Sequence, residues 1–516
     1  MRNQEIMVSL DIGTTSIKVV VAEYMNGHVN IIGVGNEKSR GISRGVIVDI
    51  DETVLSIQRA IEQAERKASV RINDVVVGIP SNKLAIDDCH GMIAVASENR
   101  EITAKDVDNV ISAAKVRSVS PEREVIAILP EEFIVDGFSG IRDPRGMIGV
   151  RLELYARLLT GPRTIIHNIR RCVERAGLQI SEFVLHPQAI ASVALSEDEC
   201  EFGTVLIDMG GGQTSASIIY DKQLKYSFVD QEGGDYVTKD ISLILNTSLE
   251  SAERIKREYG YAVSSATSPE EYFPVETVGR KEPVRVDERY LSEIIEARLV
   301  QIFETIKEDL TAVDAMDLPG GFVLTGGASS LPGVLELAKK YFGQNVRLYI
   351  PEQMGMRNPI YTTSLGMVQY VSQLDDVHRI AQATFRSKQI ATSSNQNPYP
   401  SMTNDDRYGQ EDFSYEREPL AQKDIRDQNR QTQIRKDRSG QITPYSGSEY
   451  SSKQMRRADS DYYQFDHAPS ADEEHFEDAM YYSQEPLGYS QEMKASKNPA
   501  GGLIEQIRSF FQTFFD

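Results

Sequence analysis

Two short turns hold the residues best suited to chemistry. Asp11, Ile12, Gly13, Thr14, Thr15 and Ser16 follow an apolar strand, with Lys18 two residues on. Asp208, Met209, Gly210, Gly211, Gly212, Gln213 and Thr214 follow a second one. A turn grips phosphate when its backbone N–H groups converge and its side chains are small. Gly13 permits close approach, the three hydroxyl residues add donors, and Lys18 adds charge. Three consecutive glycines carry a large conformational entropy cost, which favours a functional reason for them. Asp11 and Asp208, each at a strand end, could hold a hydrated Mg²⁺, a cation that prefers oxygen ligands and keeps its waters. An ordinary tight hairpin would explain one such turn; two with matched flanks point to a nucleotide. A third glycine pair, Gly326-Gly327 followed by Ala328 and Ser329, ends the strand begun by Phe322 and precedes a helix expected near Pro332. Alone it would be a strand-to-helix connection.

These turns need elements to place them. VSLDIGTTSIKVVVAEY from Val8 and VLIDMGGGQTSASIIYD from Val205 repeat one pattern of strand, small-residue turn and second strand. Two such units about 200 residues apart predict a duplicated α/β domain with a cleft between its halves. Val54, Ile57, Ile61 and Ala64 lie at helical spacing in 51–68, and 75–79 reads as a buried strand. Residues 84–161 read as an insertion with strands at 92–96, 124–129, 132–135 and 152–159 and a helix at 104–115. In 287–303 the stripe Leu291, Ile294, Ile295 and Leu299 reads as core.

Composition bounds the function. The chain has 516 residues, enough for several domains, and a formal charge of −21, which argues against nucleic acid as the main partner. Cys89, Cys172 and Cys200 lie far apart, with no zinc or disulfide spacing, and fit a reducing compartment. The first residues lack a signal-peptide core and no run of 18 apolar residues occurs, so a cytosolic location is expected.

Periodic apolar patterning stops near residue 380. Residues 386–499 are rich in Gln, Ser, Asp, Asn and Tyr, a composition that cannot offset chain entropy and predicts a disordered linker. Such a coil spans roughly 60 Å on average. Basic residues cluster in 423–438 and acidic ones in 459–478; a solvated linker explains both blocks. The last residues turn apolar again. On a helical wheel Leu503, Ile504, Ile507, Phe510, Phe511, Phe514 and Phe515 fall within about 140°. Glu505, Ser509, Gln512 and Asp516 lie opposite. Such a helix fits a membrane surface, held mainly by hydrophobic burial; a protein groove is the alternative.

The three-turn order resembles the superfamily of actin, sugar kinases and DnaK-type chaperones over about residues 5–380. The resemblance implies an actin-like α/β fold of ribonuclease-H-like halves, two lobes around a cleft holding Mg-ATP. It places Gly233, Gly234, Glu253 and Lys256, from QEGGDYVTKDI and SAERIKREYG, against ribose and adenine; a solvated helix face would explain Glu253 and Lys256 equally. Relatives with a hydrolytic Glu-Pro differ here, where Leu185-His186-Pro187 puts His186 in the glutamate's place. His186 could orient water or be structural, so ATP binding is the safer expectation than hydrolysis. A kinase of this fold would need a catalytic acid for its acceptor, and none stands out.

Within the superfamily the insertion, with VVVGIPSNKLAIDDCHG and ILPEEFIVDG, and the tail with its apolar end resemble the FtsA family of bacterial cell division. PilM, a pilus-assembly protein, shares the insertion but not the tail. The resemblance implies lobe 1A at 1–83 and 162–200, subdomain 1C at 84–161, lobe 2A at 201–227 and 304–380, and subdomain 2B at 228–303. A linker at 381–500 and an amphipathic membrane-targeting helix at 501–516 follow. It also implies filaments on the cytoplasmic face of the membrane at the septum, other division proteins as partners, and binding of the C-terminal peptide of FtsZ on subdomain 2B. Arg289 and Arg298 are the exposed cations expected to meet the acidic part of that peptide.

Overall fold

The computed structural model describes residues 5–25, 28–115 and 119–381. The linker and the amphipathic end, including Leu503 to Phe515, lie outside the described residues.

The first lobe opens with β1 (Glu5–Ile12), β2 (Ser16–Met25) and β3 (His28–Lys38), a meander of adjacent antiparallel strands. Six consecutive residues of β2 are buried, because both faces of this central strand are covered. A small ladder, β4 (Ile42–Ser43) and β5 (Val46–Ile47), leads into α1 (Ile50–Ala68). Asp49 caps α1 by accepting from the Glu52 N–H, and Ser69 ends it in the left-handed region. Its buried face is Val54, Ile57, Ala60, Ile61 and Ala64. Gly33 and Gly35 let it lie directly on β3; a Cβ on Gly33 would stand 2.7 Å from the Ala68 Cβ. β6 (Asp74–Ile79) then joins β1 in parallel.

The inserted unit comprises β7 (Ala85–Ala94), α2 (Ala104–Ala114), β8 (Arg123–Val135), β9 (Phe138–Ile141) and β10 (Arg151–Pro162), with sheet order β7-β10-β8-β9. Two of its strands differ from expectation. β7 starts seven residues before the expected strand, because its outer face carries Asp88 and His90 and Asp87 precedes them, a polar run that concealed it. The two strands expected at 124–129 and 132–135 are one strand, β8, crossed by a bulge where the register shifts from Glu132 to Pro130. Proline cannot donate to a ladder, so a bulge is where a strand tolerates it.

The chain returns to the first lobe with α3 (Arg163–Arg175), β11 (Gln179–Leu185), α4 (His186–Ala194) and α5 (Glu197–Phe202), giving sheet order β11-β6-β1-β2-β3. The second lobe repeats the plan. β12 (Thr204–Met209), β13 (Thr214–Tyr220) and β14 (Gln223–Asp230) form the meander. α6 (Gly234–Ile244), α7 (Leu249–Tyr259), the ribbon β15 (Tyr272–Val275) and β16 (Val284–Asp287), and α8 (Glu288–Ala312) intervene. β17 (Phe322–Thr325), α9 (Val334–Phe342) and β18 (Val346–Leu348) complete the order β14-β13-β12-β17-β18. Both sheets therefore run third, second and first meander strand, then two parallel strands.

α10 (Thr362–Gln373) crosses back to pack on α4 in the first lobe. Ser192 Oγ donates to the Gly366 carbonyl at 2.9 Å, and a Cβ on Gly366 would collide with the Ala189 carbonyl. Gly366→Ala therefore separates two effects. Helix propensity alone would stabilise α10 by about 1 kcal/mol. Collision with α4 should instead cost about 1–3 kcal/mol and lower the thermal midpoint. A raised midpoint would show that the helices do not meet this closely.

Candidate functional site

Topology brings the three glycine turns together. The residues between β1 and β2 form the first turn and those between β12 and β13 the second. β17 lies parallel to β12 with Thr325 beside Asp208, so the third turn starts next to the second. The Gly234 N–H donates to the Gly210 carbonyl at 3.0 Å, and the Asp235 N–H to Gly211 at 2.8 Å. Thr214 Oγ1 donates to the Glu232 carbonyl at 2.9 Å. The segment that opens α6 is thus tied to the second turn along its length.

Side chains would not fit. A Cβ on Gly211 would collide with Thr15 Oγ1, and one on Gly212 would reach Thr14 from the first turn. Gly326 has φ +90°, which favours glycine, and a Cβ there would collide with Asp208 Oδ1. A Cβ on Gly234 would stand 3.3 Å from the Cβ of Ala328. Gly327 follows at the start of the third turn's 3-10 helix.

The charged groups sit at the floor. Asp11 Oδ2 and Lys18 Nζ form a buried pair at 3.1 Å. Asp208 is partly covered; burial pushes its carboxyl pKa up and Asp11 adds to that, against the pull of His186 and Lys18. His186 opens α4 with Pro187 behind it. Its Nε2 lies 3.8 Å from Asp11 Oδ1 and is buried without a hydrogen-bond partner. Gly78 on β6 leaves it room, for a Cβ there would stand 2.7 Å from that nitrogen. Two carboxylates, one of them disfavoured by burial, are a donor set suited to a cation that brings its own waters. Among the described residues no group of three or more His, Cys, Asp or Glu side chains gathers as a metal site.

Glu253 and Lys256 on α7 meet at 2.6 Å and brace the turn before α6. Lys256 Nζ donates to the Gly234 carbonyl at 2.9 Å and to Thr238 Oγ1 at 2.7 Å. The solvated-face alternative fails for this pair, since both side chains are largely covered.

The two arginines differ from the expectation of exposed cations. Arg298 is a correction: its side chain is 1% exposed, with Nε 2.6 Å from Asp240 Oδ2 and Nη1 2.8 Å from Glu232 Oε2. Burial works against its charge, but the bonds it donates to Asp240 and Glu232 raise its pKa overall, so it is a fixed buried cation. It cannot meet a partner at the surface. Arg289 is half-buried, and its Nη2 donates to the Thr267 carbonyl at 3.1 Å.

Several residues at the site were not singled out in the sequence. The Thr15 hydroxyl bonds the Asp235 carboxylate, whose pKa burial raises and Lys256 lowers. Asn82 Nδ2 donates to Gln213 Oε1 at 2.9 Å, and the Gly45 N–H donates to Thr14 Oγ1 at 2.9 Å. Arg44 lies over the ring of Tyr236, its Cζ 5.5 Å from the centroid. The tandem Ser39-Arg40-Gly41 and Ser43-Arg44-Gly45 was the available signal for the last two; Asn82 had none.

Two lobes with one repeated strand order, facing each other through glycine turns over a pair of aspartates, define the actin-like fold. Among solved structures the chain resembles that of a PilM-PilN type IV pilus biogenesis complex, with TM-score 0.51 and 15% identity, over 72% of this chain and 99% of that one. That likeness concerns the fold. A family model described as "Cell division protein FtsA" matches residues 205–366, and one described as "SHS2 domain inserted in FTSA" matches residues 81–160. The cell division protein FtsA of Enterococcus hirae is 59% identical over 374 residues, 72% of this chain and 85% of the relative. That of Streptococcus pneumoniae is 50% identical over 75% and 85% of the two chains, and that of Bacillus subtilis 45% over 72% and 84%. The chain belongs to the FtsA family of cell division proteins.

Proposed function

We propose that the chain binds Mg-ATP in this cleft, polymerises on the cytoplasmic face of the membrane at the septum, tethers FtsZ filaments there and helps recruit later division proteins. The convergence of three glycine-containing turns on Asp11 and Asp208 is the observation that carries the nucleotide part. Backbone N–H groups of the turns Gly13 to Ser16 and Gly211 to Thr214 would bind the phosphates, with Gly210, whose N–H is held by the Gln213 carbonyl, permitting the tight turn and Lys18 offsetting charge. Asp11 and Asp208 would hold Mg²⁺ through water. Gly233, Gly234, Glu253, Lys256 and Gly326 to Ala328 would border the adenosine.

The tether reading rests on sequence: seven large apolar residues on one face of residues 503–515 support reversible binding at a membrane surface. Among the described residues no helix is long and apolar enough to cross a membrane. Filaments would present many weak helices at once and gain avidity without new contacts. Closure of the cleft on ATP would favour the polymerising form. On subdomain 2B, Arg289 remains the candidate contact for an acidic FtsZ peptide, and Arg298 does not.

Sedimentation with lipid vesicles, with and without ATP, tests the reading. The full chain should pellet, more so with ATP, and a chain ending at Pro499 should stay in solution. If both stay in solution, the terminal helix docks on protein instead. Equal pelleting without ATP would remove the gating by nucleotide.

His186 would orient the attacking water, given its buried, unpartnered Nε2 beside Asp11. General-base effects run about 10²–10⁴-fold. His186→Ala should slow ATP turnover at least about tenfold and leave Mg-ATP affinity within about threefold. Unchanged turnover would make the imidazole structural.

A further inference from the structure

Tyr236 lies on α6, just after the Gly233-Gly234 turn, and three cations surround its ring. Arg44 Cζ is 5.5 Å from the centroid, Arg298 Cζ 5.4 Å and Lys239 Nζ 4.4 Å. Arg298 and Lys239 belong to the second lobe. Arg44 belongs to the first, at the tip of the ladder between β4 and β5, where its φ is +50°. Next to it, the Gly45 N–H holds Thr14 of the first turn. One residue pair thus spans the two lobes, with one end fixed to the first phosphate turn.

The other end is fixed as firmly. Tyr236 is buried, and Arg298 beneath it is bound to Asp240 on the same helix and to Glu232 before it. Glu232 in turn receives the Thr214 hydroxyl of the second turn through its carbonyl. Removing a cation from an aromatic face costs little at an exposed site and more where water is excluded. Arg44 is exposed while Tyr236 is not, so the contact is weak enough to open and anchored enough to matter.

We propose that Arg44 and Tyr236 form a latch across the cleft, seated on the buried Arg298 node, that holds the lobes closed and slows nucleotide release. The nucleotide part rests on the ATP reading above. Arg44 acts through Tyr236 as a positioning residue.

Stopped-flow release of a fluorescent ATP analogue from the full chain tests it. Arg44→Ala and Tyr236→Leu should each speed release about two- to fivefold. The double variant should be no faster than the faster single one, because the two residues make one contact. Tyr236→Phe keeps the ring and should release at the unaltered rate. Release from Arg44→Ala at the unaltered rate overturns the latch, and so does a double variant whose effects multiply, since Arg44 would then act without Tyr236. A second readout needs no nucleotide. Spin labels on Arg59→Cys in α1 and Glu258→Cys in α7, with Cys200→Ser, report the distance between lobes. Arg44→Ala should broaden that distance distribution; an unchanged one overturns the latch. If the unaltered chain releases no nucleotide because it binds none, the ATP reading fails and this distance decides the latch alone.

Discussion

The cleft floor is built on glycines that leave room for close neighbours. Gly211 and Gly212 face Thr15 and Thr14, Gly326 faces Asp208, and Gly234 faces Ala328, at separations that a Cβ would close. The approaches depend on one another, since the Gly234 and Asp235 N–H groups donate to the Gly210 and Gly211 carbonyls of the second turn. Asp208 lies directly against the third turn, where a Cβ on Gly326 would collide with its Oδ1. Its burial raises the proton affinity of the carboxyl, and the nearby Lys18 and His186 oppose that. A site made this way would suit the proposed ligand, an anion with a bound cation.

Everything outside the floor holds it in register. Duplication supplies two equivalent hairpins, and the parallel pairing of β12 with β17 delivers the third turn to the second. The helices that run between lobes meet where Gly366 crosses α4, which places His186 at the N-terminal end of one of them. In the second lobe, Arg298 carries the turn before α6 on a buried ion pair. Replacing one member of such a pair leaves the other charge stranded, typically at about 3–5 kcal/mol. This node also reaches α8, the helix that carries Arg289. The node thus joins α8 to α6 and to the turn before it.

The turns were legible in the sequence because glycine runs and paired Asp residues are costly unless used. The β1–β2 hairpin and α1 were legible because their apolar spacing is regular. β7 and β8 were harder: a polar outer face concealed one, and Pro130 at a bulge split the other. Arg298 is the most instructive case. It stands seven residues after Leu291, and so on the apolar stripe of α8, yet its charge argued for solvent. The reason it is buried, Asp240, lies 58 residues earlier and outside any local pattern. The same holds for Arg44 and Tyr236, and for Asn82 and Gln213: contacts between lobes leave no periodic trace. Residues such as Gly233 and Gly234 were placed by resemblance rather than by their own pattern.

Three separate turns are proposed to act as one phosphate and adenosine site. Hydrogen–deuterium exchange of backbone amides, with and without Mg-ATP, addresses all three at once. Protection should rise together in residues 13–16, 210–214 and 326–328, with little change in the strands that carry them, whose amides are already bonded. Protection confined to one turn, or found only away from the cleft, would contradict a shared nucleotide site.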